Sequence, residues 1–489
     1  MLFNSYLFLF LFLPLALLGY FLLNRLGRFQ LAEAFLIGMS LWFYGYFNPS
    51  YLLIICISIL ANYALSRLLS RRGDSAAGRL LLSLGVAANL GAIFYFKYYD
   101  FFVSTVNGVF GTGFQLRHIL LPLGISFFTF QQISYLVDSY RGETGDYGFL
   151  EYALFVSFFP QLVAGPIVLH SEMIPQFRDK SLRRFDWNRF GQGLYLFALG
   201  LSKKVLLADV LGKAVDWGFG GLGTLYSMSA LDAVLVSLCY TFQLYFDFSG
   251  YCDMALGLAR MFNLRLPQNF NSPYKALSMV DFWNRWHMSL TRFLRNYIYF
   301  PLGGSRKGKF RTYLNIMVVF LASGLWHGAN WTFVLWGALH GLANCLTRAG
   351  KTAWDKLHTV TRWSLTFATA NLLWVIFRAD NVEHALRFIV HMVRMDETWL
   401  STALLRQFDV VEFQFLEELL PPLANLAGKI TGLHMALFLL FSFAVVLNGK
   451  NSSELGEELT LRRGLATVLL LAWSILSLSG LHTFLYFNF

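Results

Sequence analysis

What most constrains this chain is a series of uncharged apolar runs of membrane-spanning length, separated by short loops rich in arginine and lysine. The first, YLFLFLFLPLALLGYFLL at 6–23, holds 18 residues without a charge, and about 20 helical residues cross a hydrocarbon core of roughly 30 Å. With 56% apolar and 14% charged residues in 489, a soluble multidomain protein is excluded. The sequence predicts an all-α polytopic membrane protein forming one domain over 1–489. No Lys or Arg precedes the first run and no small-residue cleavage site follows it, so it reads as a span and not as a cleaved leader.

The net charge of +11 does not point to nucleic acid. The cations sit between apolar segments, where they set topology and meet anionic headgroups of the lipid bilayer. Keeping basic loops cytoplasmic places the N-terminus outside, with spans near 6–23, 31–48, 50–66 and 80–96. An aromatic segment at 97–118 is then expected at the outer interface, and LPLGISFFTFQQISYLVD returns with Gln131 and Gln132 at its midpoint. The stretch 149–168 has room for little more than one crossing where an even number is needed. With Pro160, Gly165 and Pro166 it is expected to be broken or re-entrant, buried in protein or lining a cavity. Acidic residues dominate 380–418, so 380–430 is expected outside. Runs at 433–447 and 465–481 leave the C-terminus outside as well. The four cysteines lack C-x-x-C spacing and are expected to pack.

Chemistry concentrates at 283–341. Over 281–300 a continuous helix would put Trp283, His287, Leu290 and Leu294 on one face, and Arg285, Ser289, Arg292 and Asn296 on another. Seven cations and no acid lie between Arg285 and Arg311. Cytoplasmic placement accounts for them, and a phosphate-rich donor is a second use. Basic residues flank 313–344 on both sides, so it must be a hairpin, with Gly324 and Gly328 as a flexible apex. Its rising arm of about 15 residues, roughly 22 Å, falls short of the core and predicts His327 within the membrane.

A buried neutral imidazole is suited to taking the proton of a hydroxyl that attacks a thioester. Asp247 and Asp253, in YFDFSGYCD, would each cost about 3 kcal/mol at a span's centre. Each is therefore expected to be paired, near an end or facing a wet interior, and an ion pair ordering the bundle stands against direct chemistry. Metal-ligand spacing, a G-x-S-x-G elbow and a Walker loop are all missing, so no metal is expected and hydrolase and NTPase readings lack support. A transporter or flippase is the rival class. Paired repeats with matching broken helices would favour it, yet WHMSL and GLWHG have no second copy.

The segments LPLGISFFTFQQISYLVDSYRG, YFDFSGYCDMALGLARMF, LPQNFNSPY, DFWNRWHMSLTRFLRNYIYFPLGG, GLWHGANWTFVLWGALHG and WVIFRA, in order from about 121 to 379, resemble the membrane-bound O-acyltransferases (MBOAT) of the AlgI-like, alginate O-acetylation group. The resemblance implies a helical bundle around a central tunnel, with the family's invariant histidine at His327 and its second at His287. Asp247, Ser249, Asp253, Trp283, Arg285, Trp286, Trp326 and Asn330 would support the tunnel or the donor. It further implies a cytoplasmic acyl thioester, acetyl-CoA in this group, as a substrate with no bound cofactor. The chain would lie in the bacterial inner membrane, and the acceptor would be an extracytoplasmic polysaccharide such as alginate, or else cellulose or peptidoglycan, reached through an external SGNH-type acetyltransferase partner. The ending FLYFNF resembles the F-x-Y-x-x-F of related cell-wall acylation systems, which makes Tyr486, between Phe484 and Phe489, an acyl relay. An interfacial aromatic anchor is the competing reading.

Overall fold

The computed structural model describes residues 1–220, 228–394, 398–456, 458, 460–478 and 483–485. Every regular element among them is helical. They form two compact units, one of Met1–Leu201, Tyr251–Asn269 and Leu455–Phe489, the other of Ser202–Gly250 and Phe270–Glu454.

The first unit contains α1 (Phe8–Arg25), α2 (Phe29–Gly45), α3 (Ser50–Arg72), α4 (Ala76–Phe110), α5 (Ile125–Tyr140), α6 (Phe149–Ser157), α7 (Phe159–Leu162), α8 (His170–Arg178) and α9 (Trp187–Ser202). Helix α4 continues to Phe110 through most of the aromatic stretch 97–118 expected at the outer interface, because FYFKYYDFFVSTVNG contains no helix breaker before Gly108. Its Asp100 carboxylate then gathers the following strap by accepting from the Arg117 amide at 2.7 Å. The two mid-helix glutamines of α5 are buried, and Gln132 Oε1 accepts from Ser58 and Asn62 on α3, each at 2.6 Å. Asn89 of α4 extends this ladder by donating to Asn62 Oδ1 at 2.7 Å. Such pairing satisfies polar groups that hydrocarbon would leave stranded. The break expected within 149–168 is present. Phe158 leaves helical geometry between α6 and α7, and the freed Phe159 amide donates to Ser40 Oγ at 3.2 Å.

In the second unit a π-helical turn, Lys203–Ala208, leads into α10 (Asp209–Gly220). The 32-residue α11 (Ala230–Met261) supplies residues to both units. There follow α12 (Met279–Arg285), α13 (Met288–Leu294), α14 (Gly308–His327), α15 (Trp331–Ala349), α16 (Thr359–Arg378), α17 (Val382–Arg394) and α18 (Leu433–Asn448); α19 (Leu461–Leu476) returns to the first unit. By length and composition α1, α3, α4 and α11 are each able to cross a membrane.

The continuous helix expected over 281–300 is not formed. It stops at Arg285, passes through extended Trp286 and left-handed His287, and restarts as α13. Periodicity cannot reveal this, because the turn rests on a histidine and not on glycine. The hairpin expected over 313–344 is formed by α14 and α15. Its rising arm, however, has 20 residues, or about 30 Å, because Gly308 to Thr312 join the helix. Arm length therefore does not fix the depth of His327.

The hairpin's glycines serve close approach, not flexibility. A Cβ on Gly324 would lie 2.3 Å from the Phe333 carbonyl oxygen, and one on Gly337 would lie 2.5 Å from that of Phe320. Small residues let helix backbones meet in this way. Gly324→Ala is expected to separate the arms, cost about 1–3 kcal/mol as overpacking, and lower the melting temperature of the detergent-purified protein. An unchanged melt would contradict the seam.

Candidate active site

His287 is fully buried with φ at +46°, a conformation that costs a non-glycine residue about 1–3 kcal/mol and persists only where its surroundings impose it. The surroundings are identifiable. The Trp286 amide donates to Phe282 O at 2.8 Å and the Thr291 amide to His287 O at 3.0 Å, so the turn is tied to the helices on both sides. The Phe248 ring meets the imidazole edge-on at 4.8 Å. Burial pushes the His287 imidazole below its ordinary pKa and keeps it neutral.

His327 is the last residue of α14 and only 5% exposed. Rings surround it: Trp326 at 4.9 Å, Trp336 at 5.1 Å and Phe377 at 5.4 Å between centroids. The His287 ring lies 6.3 Å away, with Trp326 in contact with both imidazoles. Two imidazoles at this separation place two potential proton acceptors side by side within an aromatic surround, the residue type that general acid–base chemistry uses.

A third histidine, not singled out from the sequence, extends the cluster. His340 is fully buried on α15, one turn beyond Trp336, whose ring it meets at 4.7 Å. Its Nδ1 accepts from Trp283 Nε1 at 3.2 Å, which fixes the tautomer with the proton on Nε2. The available signal was the spacing of Trp336 and His340, four apart on a helix and interleaved with Gly337 and Gly341.

Of the other expected residues, Trp283, Trp286 and Trp326 gather around the histidines. Trp286 packs on Phe282 at 5.6 Å and Trp374 at 4.9 Å. Asp247 lies behind the site, 2.7 Å from Lys204 Nζ, and that ammonium also reaches Asp209 at 2.8 Å. Asp247 immediately precedes Phe248, so the ion pair anchors the ring that meets His287. Ser249 is buried, and its hydroxyl has no hydrogen-bond partner among the described residues. Asp253 is buried in the first unit. Two side chains are engaged away from the imidazoles. Arg285 donates to Asp281 at 2.8 Å. Asn330 caps α15 by accepting from the Thr332 amide at 3.1 Å, and donates to Asp380 O at 2.7 Å. Phe484 packs on Tyr251 at 5.0 Å within the first unit, whereas Tyr486 and Phe489 lie outside the described residues. Among the described residues no three His, Cys, Asp or Glu side chains gather as a metal-binding set.

Together the apolar helices and the two buried imidazoles, 6.3 Å apart between ring centres, describe a helical integral membrane protein with a histidine pair enclosed by aromatic rings. The chain matches the model of the MBOAT, membrane-bound O-acyltransferase, family over residues 137–383. It is 45% identical over 426 residues to a peptidoglycan O-acetyltransferase of Helicobacter pylori, covering 81% of this chain and 80% of the relative. A probable alginate O-acetylase AlgI of Pseudomonas aeruginosa is 39% identical over 450 residues, covering 91% and 81%. A teichoic acid D-alanyltransferase of Streptococcus thermophilus is 27% identical over 256 residues, covering 49% and 58%. The chain belongs to the membrane-bound O-acyltransferase family and is an O-acyltransferase.

Proposed function

We propose that the protein moves an acetyl group from a cytoplasmic thioester, acetyl-CoA or a similar donor, toward the O-acetylation of an extracytoplasmic polysaccharide. His327 is the general base. It takes the proton of the acceptor hydroxyl as the oxygen bonds to the thioester carbonyl carbon. The tetrahedral intermediate then breaks its C–S bond, and the thiolate leaves with a proton returned by the imidazolium, giving an acetyl ester and a free thiol. His287, neutral and held by its turn, orients the donor carbonyl or assists that return. The observation that carries this reading is the strained, wholly buried His287 beside the ring-enclosed His327.

The direction of transfer rests on the basic loops, which we place on the cytoplasmic side of an inner membrane, with both termini and 380–430 opposite. Peptidoglycan is the acceptor named for the relative at 45% identity and alginate for the one at 39%. Both polymers offer sugar hydroxyls to an external acetyltransferase partner. Tyr486 receives the acetyl group as the first acceptor and hands it to that partner. In cells lacking the native gene, Tyr486→Phe is expected to restore protein to the membrane but no base-labile acetate to isolated envelope polysaccharide. Normal acetate with Tyr486→Phe would leave the C-terminal aromatics as an anchor only.

A further inference from the structure

The first unit carries a groove of about 920 Å³ that neither His287 nor His327 lines. One wall is the apolar face of α1, where Leu18 is 71% and Leu22 57% exposed. The other wall is cationic, formed by Arg25 at the end of α1 and by Lys180, Arg183 and Arg184 in the turn that follows α8. At the mouth stands Trp187, 77% exposed, with Phe185 against it at 4.8 Å.

No carboxylate lines this groove. Glu33 sits 3.7 Å from Arg183 and balances one of the four cations. The adjacent acids are occupied elsewhere. Asp179 accepts from the Ser181 amide at 2.8 Å, and Asp186 accepts from the Asn188 amide at 2.8 Å while lying 3.7 Å from Arg189. Arg25, Lys180 and Arg184 thus converge on an apolar trough without an ion-pair partner among the described residues.

We propose that the groove binds an anionic phospholipid, its glycerophosphate headgroup on Arg25, Lys180 and Arg184 and one acyl chain along Leu18 and Leu22. Topology alone requires cations in cytoplasmic loops; it does not require cations from two separate segments around one groove. Basic pockets beside apolar helix faces are suited to anionic headgroups. A free phosphate would leave the leucine wall bare, and the volume lies in the range of whole-ligand sites, about 300–1,000 Å³. Tryptophan at the rim is the side chain favoured at headgroup depth.

The test uses the purified full-length protein in phosphatidylcholine nanodiscs containing a trace of spin-labelled phosphatidylglycerol or spin-labelled phosphatidylcholine. The wild type is expected to immobilise phosphatidylglycerol selectively. Arg25→Gln with Arg184→Gln, at exposed positions, lowers that affinity about 25-fold, taking about fivefold per cation near an anionic headgroup. Arg71→Gln with Arg72→Gln, at the exposed end of α3, leaves it within about twofold. A measurement on the wild type alone makes the same demand: raising salt from 0.1 to 1 M shortens the screening length from about 10 to 3 Å and releases the lipid. Equal effects of the two double variants, no preference for phosphatidylglycerol, insensitivity to salt, or displacement by equimolar inorganic phosphate would each overturn the proposal.

Discussion

Alanine at position 327 is expected to lower acetyl transfer by the purified protein about 10²–10⁴-fold, the range a positioned general base contributes. The third imidazole of the cluster is already engaged, since His340 Nδ1 accepts from Trp283 Nε1 at 3.2 Å. The rings of Trp326, Trp336 and Phe377 surround the site without offering a base, and His287 is held by its own turn with its ring centre 6.3 Å away. The check is the initial rate of ester formation from a labelled acetyl thioester, with the melting temperature measured on the same preparation. A rate within threefold of wild type would remove His327 from the chemistry.

Lys204→Ala is expected to be the most damaging substitution for stability. The ammonium is buried between Asp247 at 2.7 Å and Asp209 at 2.8 Å. Removing it leaves two carboxylates facing each other without their cation, and breaking a buried pair from one side costs about 3–5 kcal/mol. The loss reaches His287 along a short path, because Asp247 holds the position on α11 next to Phe248, whose ring meets His287 at 4.8 Å. Thermal unfolding in detergent should shift strongly downward, and Lys204→Arg should recover part of the shift. An unchanged melt would mean that the triad does not order this unit.

The parts of this architecture visible in the sequence are those that local rules govern. The apolar runs set an all-helical membrane fold, flanking cations required a hairpin around His327, and Pro160 marked the break between α6 and α7. Four features escaped for separate physical reasons. The left-handed turn at His287 is imposed by tertiary contacts, while helical periodicity continues undisturbed through it. Hydropathy ends at Arg311, yet the helix includes Lys309 and Arg311, since helices extend into the polar interface where apolar counting stops. The Lys204–Asp247 pair joins residues 43 apart. Charge arithmetic could demand a partner for Asp247 but could not choose Lys204 over its neighbour Lys203. His340 was passed over because one histidine among apolar residues on a helix resembles ordinary packing until Trp283 is seen to donate to it.

The central claim, that this chain carries acetyl from a cytoplasmic thioester through the His287–His327 site to the opposite face, is tested most directly in inside-out membrane vesicles given labelled acetyl-CoA externally. The predicted result is labelled ester inside the vesicles, resistant to added esterase until the membrane is permeabilised, and absent with His327→Ala. Label that stays in free acetate or accumulates in esters on the exposed face, or luminal ester that persists with His327→Ala, would contradict it.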